Sequence, residues 1–342
     1  MKLQESHQLH QKTVNELDSL KAEYNVLLAD KAKLRGELDE VRQNLLIEGK
    51  QRKAVETELH KLKKLVPEND DDFEILYKIF DFMFAVGLEK ILQLLTSGDI
   101  DVQIHAVKVV ANLAAEDINQ EKIVEEGGLD ALLLLLRSSP NTTILRVASG
   151  AIANLAMNEV NQCLIMNKGG AQLLANTASR TDDPQTLRMV AGAIANLCGN
   201  EKLHAVLRED GGIKALLGMV RSGNSDVIAQ VARGLANFAK CESRGIIQGH
   251  WRGRSVLMED GVLTWLISNT TSAPASCRRH MELALCHLAQ NEDNARDFIS
   301  SGGVKELVRI SVESTRDDIR HLAKKTLRLS TTFKSEMHGE WP

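Results

Sequence analysis

Aromatic side chains are scarce in this chain, at 4% of 342 residues, and there are only five prolines. Few aromatics beside abundant Leu, Ala and Val argue against sheets, which draw on aromatic and β-branched residues. Few prolines leave room for long uninterrupted helices. Cysteine is sparse too: five residues, with no CxxC pair, which argues against a disulfide scaffold and for a reduced intracellular protein. No apolar run reaches the roughly 18–20 residues that a membrane span needs, and the polar N-terminus is unlike a signal peptide. A soluble, cytoplasmic protein is expected. The net charge of −4 lacks the basic footprint of a general nucleic-acid binder. Charge is nonetheless uneven: residues 1–66 carry +2, residues 67–74 carry −5, and the remainder −1.

What is present divides into a rod and an array, and the expected fold is all-α. From Leu17, apolar residues recur every three then four positions. Leu17, Tyr24, Leu38, Leu45, Leu59 and Val66 fall at a; Leu20, Leu27, Leu34, Val41, Val55 and Leu62 fall at d. A single helix packed on a globule drifts off a 3.5-residue period, so residues 1–66 are expected to form a coiled coil. Leucine at d suits a parallel homodimer, with Leu20, Leu27, Leu34, Leu38, Val41, Leu45, Leu59 and Leu62 as its seam. Lys31, Glu48 and Arg52 interrupt that seam, either fixing register or marking a weak segment. Pro67 ends the rod. Residues 67–86 then pass from an acidic run, Asp70–Asp72, to an apolar stretch, FEILYKIFDFMFAV, read as a linker and a capping segment.

From residue 87 one phrase repeats: VVANLAAE, AIANLAMN, AIANLCGN, GLANFAKC and ALCHLAQN. Its key positions, Asn112, Asn154, Asn196, Asn237 and His287, are spaced by 42, 42, 41 and 50 residues, and Arg328 falls at a degenerate sixth copy. A second phrase keeps step with it: EEGGLDALLLLL, NKGGAQLLA, EDGGIKALLGM, EDGVLTWLI and SGGVKELVRI. That period, with glycine between helices, lies in the armadillo and HEAT range. Each unit is expected to hold a short helix ending at Gly-Gly and two longer ones, because glycine supplies the left-handed turn. Small residues beside each Asn allow the third helices to stack closely. About six repeats, the first and last incomplete, are expected over 87–334 as a right-handed superhelical solenoid, with 335–342 a disordered tail.

The segments VKVVANLAAE, ILRVASGAIANLAMNE, TDDPQTLRMVAGAIANLCGNEK, IAQVARGLANFAKCESR and ELALCHLAQNE resemble the C-terminal tail of the plant armadillo-repeat kinesins, and KQRKAVETELHKLKK resembles that family's coiled coil. The resemblance implies a microtubule-associated, cytoskeletal location and partners among regulatory kinases of the NIMA-related class. Residues 67–86 depart from the family's usual Ser/Gly/Gln-rich linker. The sequence has no GxxxxGK[ST] phosphate loop, so the ATPase motor of the family is not expected in it. No catalytic constellation, cofactor or metal site is expected either. Cys277, His280, Cys286 and His287 resemble a ligand set only as a list, since adjacent helical residues point about 100° apart.

The expected function is therefore protein binding in the groove lined by the third helices. Asn112, Asn154, Asn196 and Asn237 could hydrogen-bond the backbone of an extended peptide, or could bridge neighbouring helices. Arg146, Arg188, Arg279 and Arg320 lie eight residues before the Asn position and, with Arg233, Lys108 and Lys324, would make the groove basic and suited to an acidic segment. Local pairing of Arg188 with Asp182 and Asp183, and of Arg320 with Asp317 and Asp318, is the alternative. No tryptophan stands four residues before Asn112, Asn154, Asn196 or Asn237, which disfavours a nuclear import adaptor; an importin- or catenin-like transport or signalling adaptor is the second reading. The 50-residue interval hides an insertion of about eight residues, CESRGIIQGHWRGRS. Its Arg244, Trp251, Arg252 and Arg254 are read as a basic loop that contacts a partner or merely lies in solvent. Microtubules, bound directly or indirectly, complete the expected partners.

Overall fold

The computed structural model describes residues 10–15, 17–33, 35–36, 43, 87–259 and 261–336. The chain divides into two units, residues 1–81 and 82–342. In the first unit every described residue is helical. Leu17, Leu20, Tyr24 and Leu27 recur on this helix at the seam spacing and are 53%, 62%, 64% and 66% exposed in the single chain. The other expected seam residues, Leu34, Leu38, Val41, Leu45, Leu59 and Leu62, lie outside the described residues, as do the stretch 67–86 and residues 337–342.

The second unit is helical throughout, with no strand among the described residues. After a helical segment at 87–94 come α1 (Ile100–Leu113), α2 (Asp117–Glu125), α3 (Gly128–Ser138), α4 (Thr142–Leu155), α5 (Glu159–Asn167), α6 (Gly170–Ser179) and α7 (Pro184–Leu197). Then follow α8 (His204–Glu209), α9 (Gly212–Met219), α10 (Ser225–Gln248), α11 (Val262–Thr270) and α12 (Ala275–Ala289). The array closes with α13 (Ala295–Ser300), α14 (Gly303–Glu313), α15 (Asp317–Leu329) and α16 (Thr331–Glu336). The helices that carry the repeated phrase, α1, α4, α7, α10, α12 and α15, pack in sequence, each on the next, as one layer. Helices α3, α6 and α9 pack in sequence as a second layer. Helix α16 carries order two residues past the expected boundary at 334, because Phe333 is fully buried and packs on Phe298 with ring centroids 6.1 Å apart.

Local chemistry explains the boundaries. Asp99, Asn141, Asp183 and Asn224 cap α1, α4, α7 and α10 by accepting from backbone N–H groups of the first turn. The Thr186 hydroxyl, with the Thr186 and Gln185 N–H groups and the nearby Arg146, holds the Asp183 carboxyl below its usual range. The glycine pair between first and second helices has two separate jobs. Gly127, Gly169, Gly211 and Gly302 have φ of 83°, 73°, 79° and 80°, the left-handed turn. At the following residue crowding decides. A Cβ on Gly128 would stand 2.6 Å from the Ile123 carbonyl oxygen, and one on Gly303 would stand 2.6 Å from Phe298 Cδ1. In the fifth unit Gly261 keeps the turn, φ 73°, but Val262 replaces the second glycine.

Candidate functional site

The four asparagines of the repeated phrase are one line on the third-helix layer. Asn154 Nδ2 donates to Ala111 O at 3.2 Å, Asn196 Nδ2 to Ala153 O at 2.8 Å, and Asn237 Nδ2 to Ala195 O at 2.9 Å. Each accepting carbonyl belongs to the residue just before the Asn of the preceding unit, so the ladder closes on itself. Small residues make it possible: a Cβ on Gly234 would stand 3.2 Å from the Cα of Ala195. Asn112 is exposed, at the start of the line. At the fifth place the ladder stops. His287 stands there half-buried, its Nδ1 buried without a partner, and burial, with Lys240 and Arg244 adding to it, pushes its pKa down to about 4.

A second ladder runs beneath the first, and only the period could have disclosed it. Gln120 Nε2 donates to Ala114 O at 3.2 Å, Gln162 Nε2 to Ala156 O at 2.9 Å, His204 Nε2 to Cys198 O at 2.9 Å, and Asn294 Nδ2 to Leu288 O at 2.8 Å. Each reaches back six residues to a carbonyl at the frayed end of a third helix. Gln120, Gln162 and His204 are 42 residues apart, so a 42-residue alignment brings them into one column. His204 also stacks on Phe238, ring centroids 3.6 Å apart and planes at 11°, and burial lowers its pKa.

The arginines of the layer divide into two kinds. Arg320 is committed locally, to Asp317 and to the Ser314 carbonyl. Asp318 pairs with Arg316 instead, at 3.0 Å. Among the described residues Arg146, Arg188, Arg233 and Arg279 make no ion pair, and neither do Lys108 and Lys324. Arg233 is the most constrained. Its Nη1 donates to Asn196 Oδ1 at 2.7 Å, its Nε to Gln230 Oε1 at 2.9 Å, and its Nη2 to Gly192 O at 3.1 Å. All three acceptors are neutral. Burial lowers its pKa, yet a guanidinium stays charged at neutral pH. His280 on α12 stands close enough to Arg279 and Arg233 for both to join burial in lowering its pKa. The layer thus displays a half-buried cation without a counter-charge, together with cations that make no ion pair among the described residues, of which Arg146 lies near enough to Asp183 to lower its pKa.

The insertion is mostly helix. Helix α10 runs 24 residues where α4 and α7 run 14, so Arg244 sits on a helical extension rather than in a loop. Residues 249–255 then fold back. Gly245 permits this, since a Cβ there would lie 2.5 Å from Glu201 Oε1 and 2.9 Å from Trp251 Cβ. Asn291 Nδ2 donates to Gly253 O at 2.8 Å, Gly253 N to Asp293 Oδ2 at 3.1 Å, and Ser255 N to Asn294 Oδ1 at 2.9 Å. Arg254 grips Asp297 with two bonds, 2.7 and 2.9 Å. Trp251 is half-buried with its indole N–H covered, and Arg252 is exposed. Under the strap Glu242 is 2% exposed; burial pushes its pKa up to about 7 against the bonds from Ser255 and Val256.

Comparison with known proteins fits this geometry. The armadillo/beta-catenin-like repeat family model matches residues 117–157. The chain is 74% identical over 260 residues to the kinesin-like protein KIN-UA of Oryza sativa subsp. japonica, covering 76% of this chain and 27% of that protein. It is 56% identical over 369 aligned residues to the kinesin-like protein KIN-UC of Arabidopsis thaliana, covering 98% of this chain and 35% of that protein. The chain therefore spans about a third or less of the length of these relatives. Among solved structures, an engineered protein from the Northeast Structural Genomics Consortium matches with a TM-score of 0.63 at 25% identity, over 73% of this chain and 97% of that one. A designed armadillo repeat protein in complex with the peptide (KR)4 matches with a TM-score of 0.61 at 21% identity, over 72% and 99%. By fold the described array is an armadillo solenoid, and by sequence the chain is similar to plant kinesin-like proteins over about a third or less of their length.

Proposed function

We propose that this chain is the non-catalytic interaction and dimerisation tail of a microtubule-associated kinesin-like protein, and that its third-helix layer docks an acidic, extended partner segment. The observation that carries this is Arg233, a half-buried guanidinium held only by neutral acceptors, in a row with Arg146, Arg188 and Arg279, which are likewise free of ion pairs. Charge displayed without a local partner favours a ligand of opposite sign and speeds its encounter. Asn154, Asn196 and Asn237 serve here by holding the layer in register: each spends one amide N–H on the preceding unit and keeps a second that a ligand can use. The exposed seam of Leu17, Leu20, Tyr24 and Leu27 supports pairing of two chains through the N-terminal helix. Acidic tubulin tails and an acidic segment of a regulatory kinase, including one of the NIMA-related class, have the required chemistry.

The test is co-sedimentation of the purified chain with taxol-stabilised microtubules, before and after subtilisin removal of the acidic tubulin tails, for the wild type and for Arg188→Glu with Arg233→Glu. Binding that disappears with the tails, with salt and with the double charge reversal supports a direct microtubule contact through the layer. Binding that survives the reversal sinks the basic-groove reading.

A further inference from the structure

The helical extension that lengthens α10 does something no other unit does. It carries Ile247 beyond the usual end of a third helix and leaves it 76% exposed. Facing it, at the end of α15, Leu329 is 67% exposed. Between them opens a pocket of about 270 Å³, floored by Ala289 and Thr326 and edged by Gln290 and Lys325. Two large apolar side chains held in water on either side of a pocket are costly unless something covers them.

The rim supplies the second half of the argument. Gln290 Oε1 is taken by the Ser243 hydroxyl at 2.5 Å, and Glu292 Oε1 by the hydroxyls of Thr331 and Thr332 and the Thr332 N–H, at 2.8, 2.6 and 2.8 Å. These two oxygens are therefore engaged within the fold, whereas Lys325 makes no ion pair among the described residues. Around it α15 adds the exposed Lys324 and Arg328, and α10 brings Lys240 and Arg244 near His287. The one acid lining the pocket, Glu292, has its Oε1 turned onto the Thr331 and Thr332 donors.

We propose that this pocket anchors one aliphatic or aromatic side chain of a partner peptide whose flanking residues are acidic. The apolar residue enters between Ile247 and Leu329, and neighbouring carboxylates meet Lys325 and the basic residues beside it. The acidic part of this proposal rests on the groove reading above; the apolar anchor does not. The anchor would give position and register to a ligand that the row of arginines attracts by charge alone, since a buried apolar contact fixes location while long-range charge does not.

The experiment uses the full chain and two short fluorescein-labelled peptides of Glu and Asp, one with a single central Leu and one with Ser in its place, read by fluorescence anisotropy. The wild type is expected to bind the Leu peptide at least about tenfold more tightly. Ile247→Asp and Leu329→Asp, both at exposed sites, should abolish the preference for the Leu peptide over the Ser peptide, with thermal melts confirming the fold. Lys325→Glu should weaken both peptides. Equal affinity of the two peptides for the wild type, or a preference that survives Ile247→Asp, overturns the anchor while leaving the groove reading intact. Binding of the Leu peptide alone supports the anchor and sinks the groove reading. No binding of either peptide sinks both. If Ile247→Asp instead lowers the mass of the full chain in sedimentation velocity, a second copy covers the pocket and the proposal fails.

Discussion

The first four third helices and the last two solve the same problem differently. On α4, α7 and α10 a single residue type at spacings of 42, 42 and 41 ties each helix to the one before it. Beyond α10 the spacing breaks, His287 replaces Asn, and the connection passes to a strap, a buried acid and an arginine cluster. Arg309 there reaches Glu306 at 2.7 Å, Glu313 at 3.4 Å and Glu282 at 3.6 Å. The regular half joins its units with neutral amides, Asn154 and Asn196 to the preceding unit and Gln120 and Gln162 to the carbonyl six residues back. The irregular half buries titratable groups and holds them with neighbours far apart in sequence. Repetition therefore gives stability that depends little on pH, whereas the insertion makes its half sensitive to it.

Five changes test that contrast. The largest effect is expected at Phe298, fully buried against Phe333 and against Gly303. Phe298→Ala should cost about 3–5 kcal/mol. In chemical denaturation it should split off an early transition of the last units while the first three hold; one shared transition would show that the halves are not separable.

Next comes pH. Glu242 has its folded pKa raised from 4.5 to about 7, so its contribution is complete below pH 4.5 and is lost as pH rises through 7. At about 1.4 kcal/mol per unit the loss is on the order of 3 kcal/mol. His287 acts oppositely: lowered from 6.5 to about 4, its contribution is present above pH 6.5 and is lost as pH falls through 4. Glu242→Gln should therefore gain on the wild type steadily from pH 4.5 to 7 in thermal melts, and a parallel pair of curves would refute the assignment.

Asn196→Ala removes both the bond to Ala153 O and the acceptor of Arg233 Nη1, and should cost about 1–3 kcal/mol. Its converse, His287→Asn, should extend the ladder to Ala236 O and abolish the acid-side loss. The smallest effect belongs to Arg254→Ala at the solvent-exposed Asp297 pair. The melting temperature should hardly move, while hydrogen exchange in residues 249–255 should quicken.

How much of this was legible in the sequence follows from the range of each interaction. The array was legible because period, Gly-Gly and small residues are local signals repeated many times. The four-cation row was legible as positions, but not its pairing. That Arg320 is spent on Asp317 while Arg233 meets only neutral acceptors depends on rotamers and on contacts 37 and 41 residues distant. The asparagines were legible as a column, with two roles open; the choice turns on a contact 42 or 43 residues away, set by how the third helices stack. The insertion misled because Arg244, Trp251, Arg252 and Arg254, lying outside the repeat period, read together as a basic loop, whereas Arg244 is helical. Gly245 is likewise a helical residue left bare so that Glu201 and Trp251 can approach.

The asparagine ladder has a mechanical consequence. Each rung joins only adjacent units, so a load applied along the array meets the rungs in series and not in parallel. A pulled chain would surrender its units one after another, each releasing about 140–150 Å of contour from 42 residues. The force record would be a sawtooth of even teeth over α1 to α7, ending in taller, irregular ones where the strap clamps the last units. A tail built this way would yield in steps under tension before it let go of what it holds.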